Sequence, residues 1–392
     1  MTTTARQQDG IAAVVDWLVD GARSARQPRD VLAGLCDRLL ACGLPLHRVA
    51  VFVTTLHPDV MGQRFLWRQG EDVVISDAPY AMLETETYHR SPVRIVFGTG
   101  QPIRLKIDSP DCPQDYGIVE ELCAEGVSDY LIQPLRFTSG EVRAISWTTT
   151  RPGGFADTDL AALEAVCRPL ARLVEIYALR RTATNLLDTY VGRHAGERIL
   201  RGRIRRGDIE RIEAVIMLTD LRDFTTLSEQ LPGDQVIGLL NSYFDCVVPP
   251  VEAHGAEVLK FIGDGLLAIF AVAGDVAAAC RAALAVSEEA RASIAAANAE
   301  RQSAGGPVLR HGMALHVGSV LYGNIGSAKR LDFTTIGPAV NLTARLETLA
   351  RDLGRDLLVS ARFAAHSPET LVSLGTFRLR GIRTPQEVFA PR

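Results

Sequence analysis

Asp220 closes the apolar run Glu213–Leu221, and Asp264 sits in a Gly263-Asp264-Gly265 turn between the runs Glu257–Ile262 and Leu266–Ala271. Each alone has an ordinary reading, since aspartate tolerates turn geometry. Two carboxylates held at one end of a sheet, however, repel each other unless a cation lies between them. Hard oxygen ligands suit Mg²⁺ or Mn²⁺, which take a few carboxylates and complete their shells with substrate phosphates. Two such ions about 3.5–4 Å apart activate an attacking oxygen and hold leaving phosphates. Asn341 and Arg345 add an amide and a guanidinium at i and i+4, which project from one helix face. Outside a catalytic context such a pair is an ordinary solvated surface.

The elements that position these residues are legible from Ile212 onward. A strand, Glu213–Leu221, leads to a helix, Phe224–Ala253; two strands, Glu257–Ile262 and Leu266–Ala271, form a tight hairpin; a long Ala-rich helix, Val276–Ala297, precedes the strand Arg310–Val317. This order, βαββαβ, predicts a ferredoxin-like core. Its first two strands run parallel, with the third antiparallel between them, so Asp220 and Asp264 fall at the same sheet end. A strand (Asp332–Ile336), a helix (Ala339–Asp352) and a terminal pair (Val372–Arg380, Glu387–Ala390) extend the core.

The first part of the chain reads differently. Helical spacing in Ile11–Ala25 and Val31–Leu40 precedes strand-like runs at Arg48–Thr54, Gln63–Arg68, Asp72–Ser76, Ile103–Lys106, Tyr130–Leu135 and Val142–Thr150. Thr138-Ser139-Gly140-Glu141 makes the last two a hairpin. An α+β module with a central antiparallel sheet is expected. Past Pro152-Gly153-Gly154, Asp157 reads as the N-cap of a helix. Leu160, Leu163, Cys167, Leu170, Val174 and Tyr177 follow a 3-4-3-4-3 spacing, the seam of a coiled coil or of a helix docked on its own domain. Pro169 predicts a kink or break. Leu200–Ile209, basic and Gly-punctuated, reads as a solvated hinge and domain boundary.

Composition bounds the answer. The chain has 392 residues, 47% apolar and 22% charged, so it has material for two domains with packed cores, which excludes disordered, collagen-like and disulfide-scaffold classes. A formal charge of −4 argues against a duplex-binding or membrane-surface protein. MTTTARQQDG has no apolar core, so no secretory signal is expected. The most apolar stretch, Leu266–Ala297, is interrupted by Asp275, Arg281, Glu288, Glu289 and Arg291 and does not read as a membrane span. The seven cysteines (36, 42, 112, 123, 167, 246, 280) form no CxxC pair, which fits reduced thiols in a cytoplasm.

Four colinear segments, Ala214–Ser228 (AVIMLTDLRDFTTLS), Val258–Phe270 (VLKFIGDGLLAIF), His316–Ser327 (HVGSVLYGNIGS) and Leu331–Glu347 (LDFTTIGPAVNLTARLE), resemble the class III nucleotidyl cyclase catalytic domain over about Asp208 to Arg392. The resemblance implies that Asp220 and Asp264 are the metal ligands for two Mg²⁺ or Mn²⁺ ions, with the Leu221 carbonyl as a further ligand. It places Lys260 and Thr334 at the purine-reading positions. Lysine with threonine or aspartate is the adenine pair in this family, whereas guanylyl cyclases carry glutamate and cysteine. The chemistry agrees: a lysine donates to adenine N1 and a threonine oxygen accepts from the 6-amino group, while guanine would leave both unpaired. Asn341 and Arg345 match the pair that orients the ribose and stabilises charge on the α-phosphoryl group. Arg380 falls at the contact to the terminal phosphates, with Arg378 and Arg383 as close rivals. The activity implied is an adenylate cyclase, ATP to 3′,5′-cyclic AMP and pyrophosphate, in a head-to-tail homodimer whose metal residues and Asn341/Arg345 come from different subunits.

Two departures from the family pattern stand out. Asp223 replaces the glycine that usually precedes Phe-Thr, adding a third carboxylate near the metals or a solvent-facing one. Pro338 follows Gly337 where Asp or Asn is frequent, a comfortable first-turn position. The first half resembles a GAF-like sensory domain by element order and its Gly-Phe-Ala-Asp-Thr-Asp-Leu exit. The expected organisation is thus residues 1–155 GAF-like, 156–207 a helical linker with a coiled coil as one reading, and 208–392 the cyclase domain. Cys112 and Cys123 (chromophore or redox) and His47, His57 and His89 (haem) are candidate sensor groups, though core or surface roles are the commoner ones. Thr334 also resembles the bicarbonate-responsive branch, which makes bicarbonate a candidate regulator. The competing readings are a GTP-using cyclase and a catalytically silent nucleotide-binding signalling partner. A diguanylate cyclase is disfavoured because no Gly-Gly-Asp/Glu-Glu-Phe motif occurs.

Overall fold

The computed structural model describes residues 3–367 and 370–392. The chain divides into two compact units, residues 1–189 and 190–392. The first begins with helices α1 (Thr3–Val19) and α2 (Pro28–Ala41), followed by strands β1 (Arg48–Thr54), β2 (Val60–Arg68) and β3 (Val74–Pro79). After short helices α3 (Glu86–His89) and α4 (Pro92–Thr99) come β4 (Ile103–Lys106), α5 (Val119–Ala124), β5 (Asp129–Arg136) and β6 (Val142–Thr149). The six strands form an antiparallel sheet in the order β3-β2-β1-β6-β5-β4, and the hairpin expected at 138–141 joins β5 to β6. Alternation covers both faces. Leu131, Leu135, Ile145 and Trp147 pack under α1, α2 and the long helix α6 (Asp157–Val191). Tyr130, Ile132 and Ala144 pack against Val96 and Leu122 on the other side.

Helix α6 settles one open alternative and corrects two expectations. Leu163, Cys167 and Leu170 are buried in the first unit's own core, with Leu160, Val174 and Tyr177 packed against it, so this seam docks on its own domain. The break expected at Pro169 is absent, since it lies inside one continuous helix of 35 residues. A mid-helix proline costs about 3 kcal/mol, but buried neighbours on both sides of it, Val166 and Leu173 among them, hold the helix to the sheet through the missing bond. Asp157 is the first helical residue rather than the cap. It is Asp159 that accepts from the Ala156 N–H at 2.9 Å and pairs with Arg151.

The second unit opens with α7 (Arg193–Leu200) and β7 (Ile209–Leu221). The single helix expected next is two, α8 (Phe224–Gln230) and α9 (Gly233–Ala253), because Leu231, preceding Pro232, is forced to extended geometry with ψ 147°. Then come β8 (Glu257–Ile262), β9 (Gly265–Ala271), α10 (Val276–Ser303), β10 (His311–Gly326), β11 (Leu331–Ile336) and α11 (Pro338–Asp352). Strand β12 (Leu357–Ser360) and helix α12 (Ala361–Ala364), both unforeseen, precede β13 (Leu371–Phe377) and β14 (Gln386–Pro391). The sheet order is β13-β14-β12-β10-β7-β9-β8, with β11 on β10. Strands β7 and β8 each pair antiparallel with β9, which is the arrangement expected of a βαββαβ core. One sheet face packs on α9 and α10 through Val215, Met217, Ala268 and Phe270. The other carries Ala214, Ile216, Leu267 and Ile269 against Ala195, Phe333 and Ala339. Strand β8 bulges at Leu259, where the register jumps from Val258↔Ala268 to Lys260↔Leu267.

Candidate active site

Backbone pairing brings the two aspartates together. Asp220 lies opposite Gly265 across the β7–β9 ladder, and the Leu221 N–H donates to the Asp264 carbonyl at 3.2 Å. Close approach depends on Gly265: a Cβ there would lie 2.2 Å from the Thr219 carbonyl oxygen. The resulting geometry puts the Asp264 carboxyl within hydrogen-bonding reach of Asp220. Burial first, then Asp264, then Glu347 push the Asp220 carboxyl up to about 7, against the opposing pull of Arg351. Arg351 donates to Asp220 Oδ2 at 3.1 Å and to Glu347 Oε2 at 3.4 Å.

This donor set fits a hard dication. The two acids are frustrated as neighbours, which a divalent ion would relieve, and two carboxylates leave room for water and phosphate oxygens in the way Mg²⁺ is usually held. Among the described residues no group of three His, Cys, Asp or Glu could form a closed protein cage. Asp223, the third carboxylate of the first motif, instead pairs with Arg310 and is half exposed. It holds φ 60°, the left-handed conformation that glycine adopts most easily.

Lys260 and Thr334 stand on β8 and β11, which lie against each other. The β8 bulge matters here, because it places Lys260 beside Leu267 on the face away from α9 and α10. Lys260 is half-buried and, among the described residues, has no hydrogen-bond or ion-pair partner. Thr334 is 4% exposed, and its Oγ1 is buried without a partner, as is that of Thr335. Phe333 stacks edge-on against Tyr322, ring centroids 4.8 Å apart, which fixes β11.

Asn341 and Arg345 are not brought to the aspartates of the same chain. Both are exposed on α11 without partners among the described residues. At 1.5 Å per residue, Asn341 lies about 15 Å and Arg345 about 9 Å along the helix from Arg351, and Arg345 faces roughly 120° away from it. Arg378, Arg380 and Arg383 are likewise exposed, in and beside the turn after β13. Pro338 opens α11 at its first turn. Glu347 and Arg351 were missed by motif reasoning, although their i, i+4 spacing on the helix after Asn341 is a recognisable acid–base pair. In the first unit, His47 and His57 lie in the loops flanking β1 and His89 ends α3, while Cys112 is buried and Cys123 exposed; among the described residues they form no cluster of three metal-ligating side chains.

Comparison with known proteins adds independent findings. Residues 208–371 match the adenylate and guanylate cyclase catalytic domain. Adenylate cyclase 1 of Rhizobium meliloti (strain 1021) is 32% identical over 185 residues, which is 46% of this chain and 27% of that protein. An uncharacterised protein of Mycobacterium tuberculosis (strain ATCC 25618 / H37Rv) is 33% identical over 241 residues, 60% of this chain and 40% of that one. The chain thus spans less than half the length of these relatives. A solved bacterial light-regulated adenylyl cyclase is 29% identical with a TM-score of 0.48, covering 56% of this chain and 63% of its own. The adenylyl cyclase CyaB from P. aeruginosa is 23% identical with a TM-score of 0.43, covering 47% and 95%. No helix among the described residues is long and apolar enough to cross a membrane. The second unit of this chain carries a catalytic domain of the adenylate and guanylate cyclase family.

Proposed function

We propose that the chain is an adenylate cyclase that converts ATP to 3′,5′-cyclic AMP and pyrophosphate in a homodimer, under control of its first unit. The observation that carries this reading is the Asp220–Asp264 pair, held side by side by Gly265 inside the segment that matches the cyclase family. Two Mg²⁺ or Mn²⁺ ions bound there, with the Leu221 carbonyl as a further ligand, would supply activation of the ribose 3′-hydroxyl and neutralise phosphate charge. The protein's own groups do the rest. Lys260 donates to adenine N1, and the orphaned Thr334 hydroxyl accepts from the 6-amino group, which favours ATP over GTP. Asn341 orients the ribose. Arg345 stabilises charge on the α-phosphoryl group as the 3′-oxygen attacks in line and pyrophosphate leaves, with Arg380 on the terminal phosphates. The distance of Asn341 and Arg345 from the aspartates of their own chain supports a site completed by a second copy.

The first unit, with its antiparallel sheet between two helical layers, supports the reading as a GAF-like sensory domain answering a small-molecule or redox signal; bicarbonate is a separate candidate regulator. The seven free cysteines fit a reducing cytoplasm. The test is cyclic-nucleotide production by the full chain from ATP and from GTP, in Mg²⁺ and in Mn²⁺. Cyclic AMP is expected from ATP, falling at least about 100-fold in Asp264→Ala and in Asn341→Ala. Mixing these two variants should restore activity, because one composite site is then intact. Predominant cyclic GMP, or no product from the full chain and from residues 206–392 alone, would overturn the reading; failure of mixing would overturn the shared site.

A further inference from the structure

A cavity of about 230 Å³ lies within the first unit, between α2, the β1–β3 half of the sheet and α6. Its walls are apolar: Leu32 from α2, Val53 and Phe65 from the sheet, and Leu173, Val174 and Tyr177 from α6. Its polar border is of one sign. Arg29 and Arg181 both line it, with Gln27 and Gln63, and no lining residue is acidic. Arg181 is exposed and has no hydrogen-bond or ion-pair partner among the described residues. Arg29 has only its neighbour Asp30 at 3.9 Å, both side chains largely in water, a contact worth little.

From this combination we infer that the cavity is a binding site for an amphipathic monoanion, an apolar body of medium length ending in a carboxylate. The apolar walls reward burial of a hydrocarbon or aromatic body. The two guanidiniums select the head group, since a cation would be repelled and a neutral head would leave them without a partner; Arg181 in particular has its planar fork free for a carboxylate. The site differs from every residue set assigned to the cyclase reaction, and it does not depend on that reaction. Because α6 forms one wall, the ligand sits between the sheet and the helix that runs on to Val191.

The experiment is titration calorimetry of the full chain with octanoate, with octanol as the neutral counterpart, both below micellar concentrations. Octanoate is expected to bind once per chain and octanol at least about tenfold more weakly, with Arg29→Gln/Arg181→Gln bringing octanoate down to the octanol level. Both arginines are exposed, so the double variant should fold. Val53→Phe, which fills the cavity, should abolish binding of both probes while circular dichroism stays unchanged. Equal affinity for the two probes, binding indifferent to the arginine pair, or no saturable binding of octanoate would each overturn the inference.

Discussion

Two buried carboxylates, one in each unit, are treated in opposite ways. In the first, Asp129 has no exposed surface, yet every group around it answers it. Arg104 and Lys106 contact it at 2.7 and 2.9 Å, and the Phe155 N–H donates to it at 2.9 Å. Burial alone would raise its pKa, but these hydrogen bonds outweigh it and hold the carboxyl below its ordinary range. In the second unit, burial prevails. Asp220 and Glu347 are both raised, Glu347 Oε1 has no partner, and Thr334 keeps a buried hydroxyl with nothing to bond. Matched charge pins a fold together, as Asp129 pins the start of α6 to β4 and β5. Unmatched charge is tolerated where a ligand completes it.

The sharpest test of that contrast is Asp129→Ala. It strands Arg104, Lys106 and the Phe155 N–H and should cost the first unit about 3–5 kcal/mol. Trp17, Trp67 and Trp147 are the chain's only tryptophans, so fluorescence-detected denaturation reports this unit alone. A loss under about 1 kcal/mol would erase the distinction. Asp220→Asn should do the reverse. A carboxyl raised from near 4 to about 7 takes up a proton on folding, so its ionisation removes stability as pH climbs through that window. In metal-free buffer the amide should therefore stabilise the second unit at pH 8, by on the order of 2 kcal/mol, and the gain should vanish near pH 4 in scanning calorimetry.

Smaller still, Thr334→Val removes an orphan hydroxyl at constant shape. It should leave stability unchanged or raise it by up to about 1 kcal/mol while KM for ATP rises; loss of stability with unchanged KM would make Thr334 structural. Asp223→Gly is expected to shift stability by less than about 0.5 kcal/mol, because a half-exposed ion pair contributes little and glycine relaxes the left-handed turn. The Mg²⁺-to-Mn²⁺ activity ratio should stay as it is; a changed ratio would return Asp223 to the metal site.

Much of this architecture is legible in the sequence alone, and the departures from it have physical causes. Strands β1, β4 and β8 follow alternation or short apolar runs bounded by turn residues, and their ends match the sequence reading. Apolar spacing after β7 runs on through Leu231-Pro232 and predicts one helix; periodicity does not register the local backbone restriction that splits it. The break expected at Pro169 errs in the other direction: the helix continues through it, held by tertiary burial that no window of sequence contains. The β8 bulge was invisible as well. Strict alternation from Val258 would put Lys260 on the α9–α10 face, and only the extra residue Leu259 returns it to the other side. Motif resemblance located the aspartates, but Glu347 and Arg351 act through a fold that carries the last turns of α11 to the end of β7.

Gly265 has a consequence for how such a domain is lost. The acids themselves are easy to guard, since any change of Asp220 or Asp264 other than to glutamate removes a carboxylate outright. Their spacing, however, is stored in an absent atom: one methyl at position 265 meets the Thr219 carbonyl and must pry β9 from β7, moving the carboxylates apart while leaving both in place. A lineage could thus retire the second unit and keep every charged residue by which its chemistry is recognised.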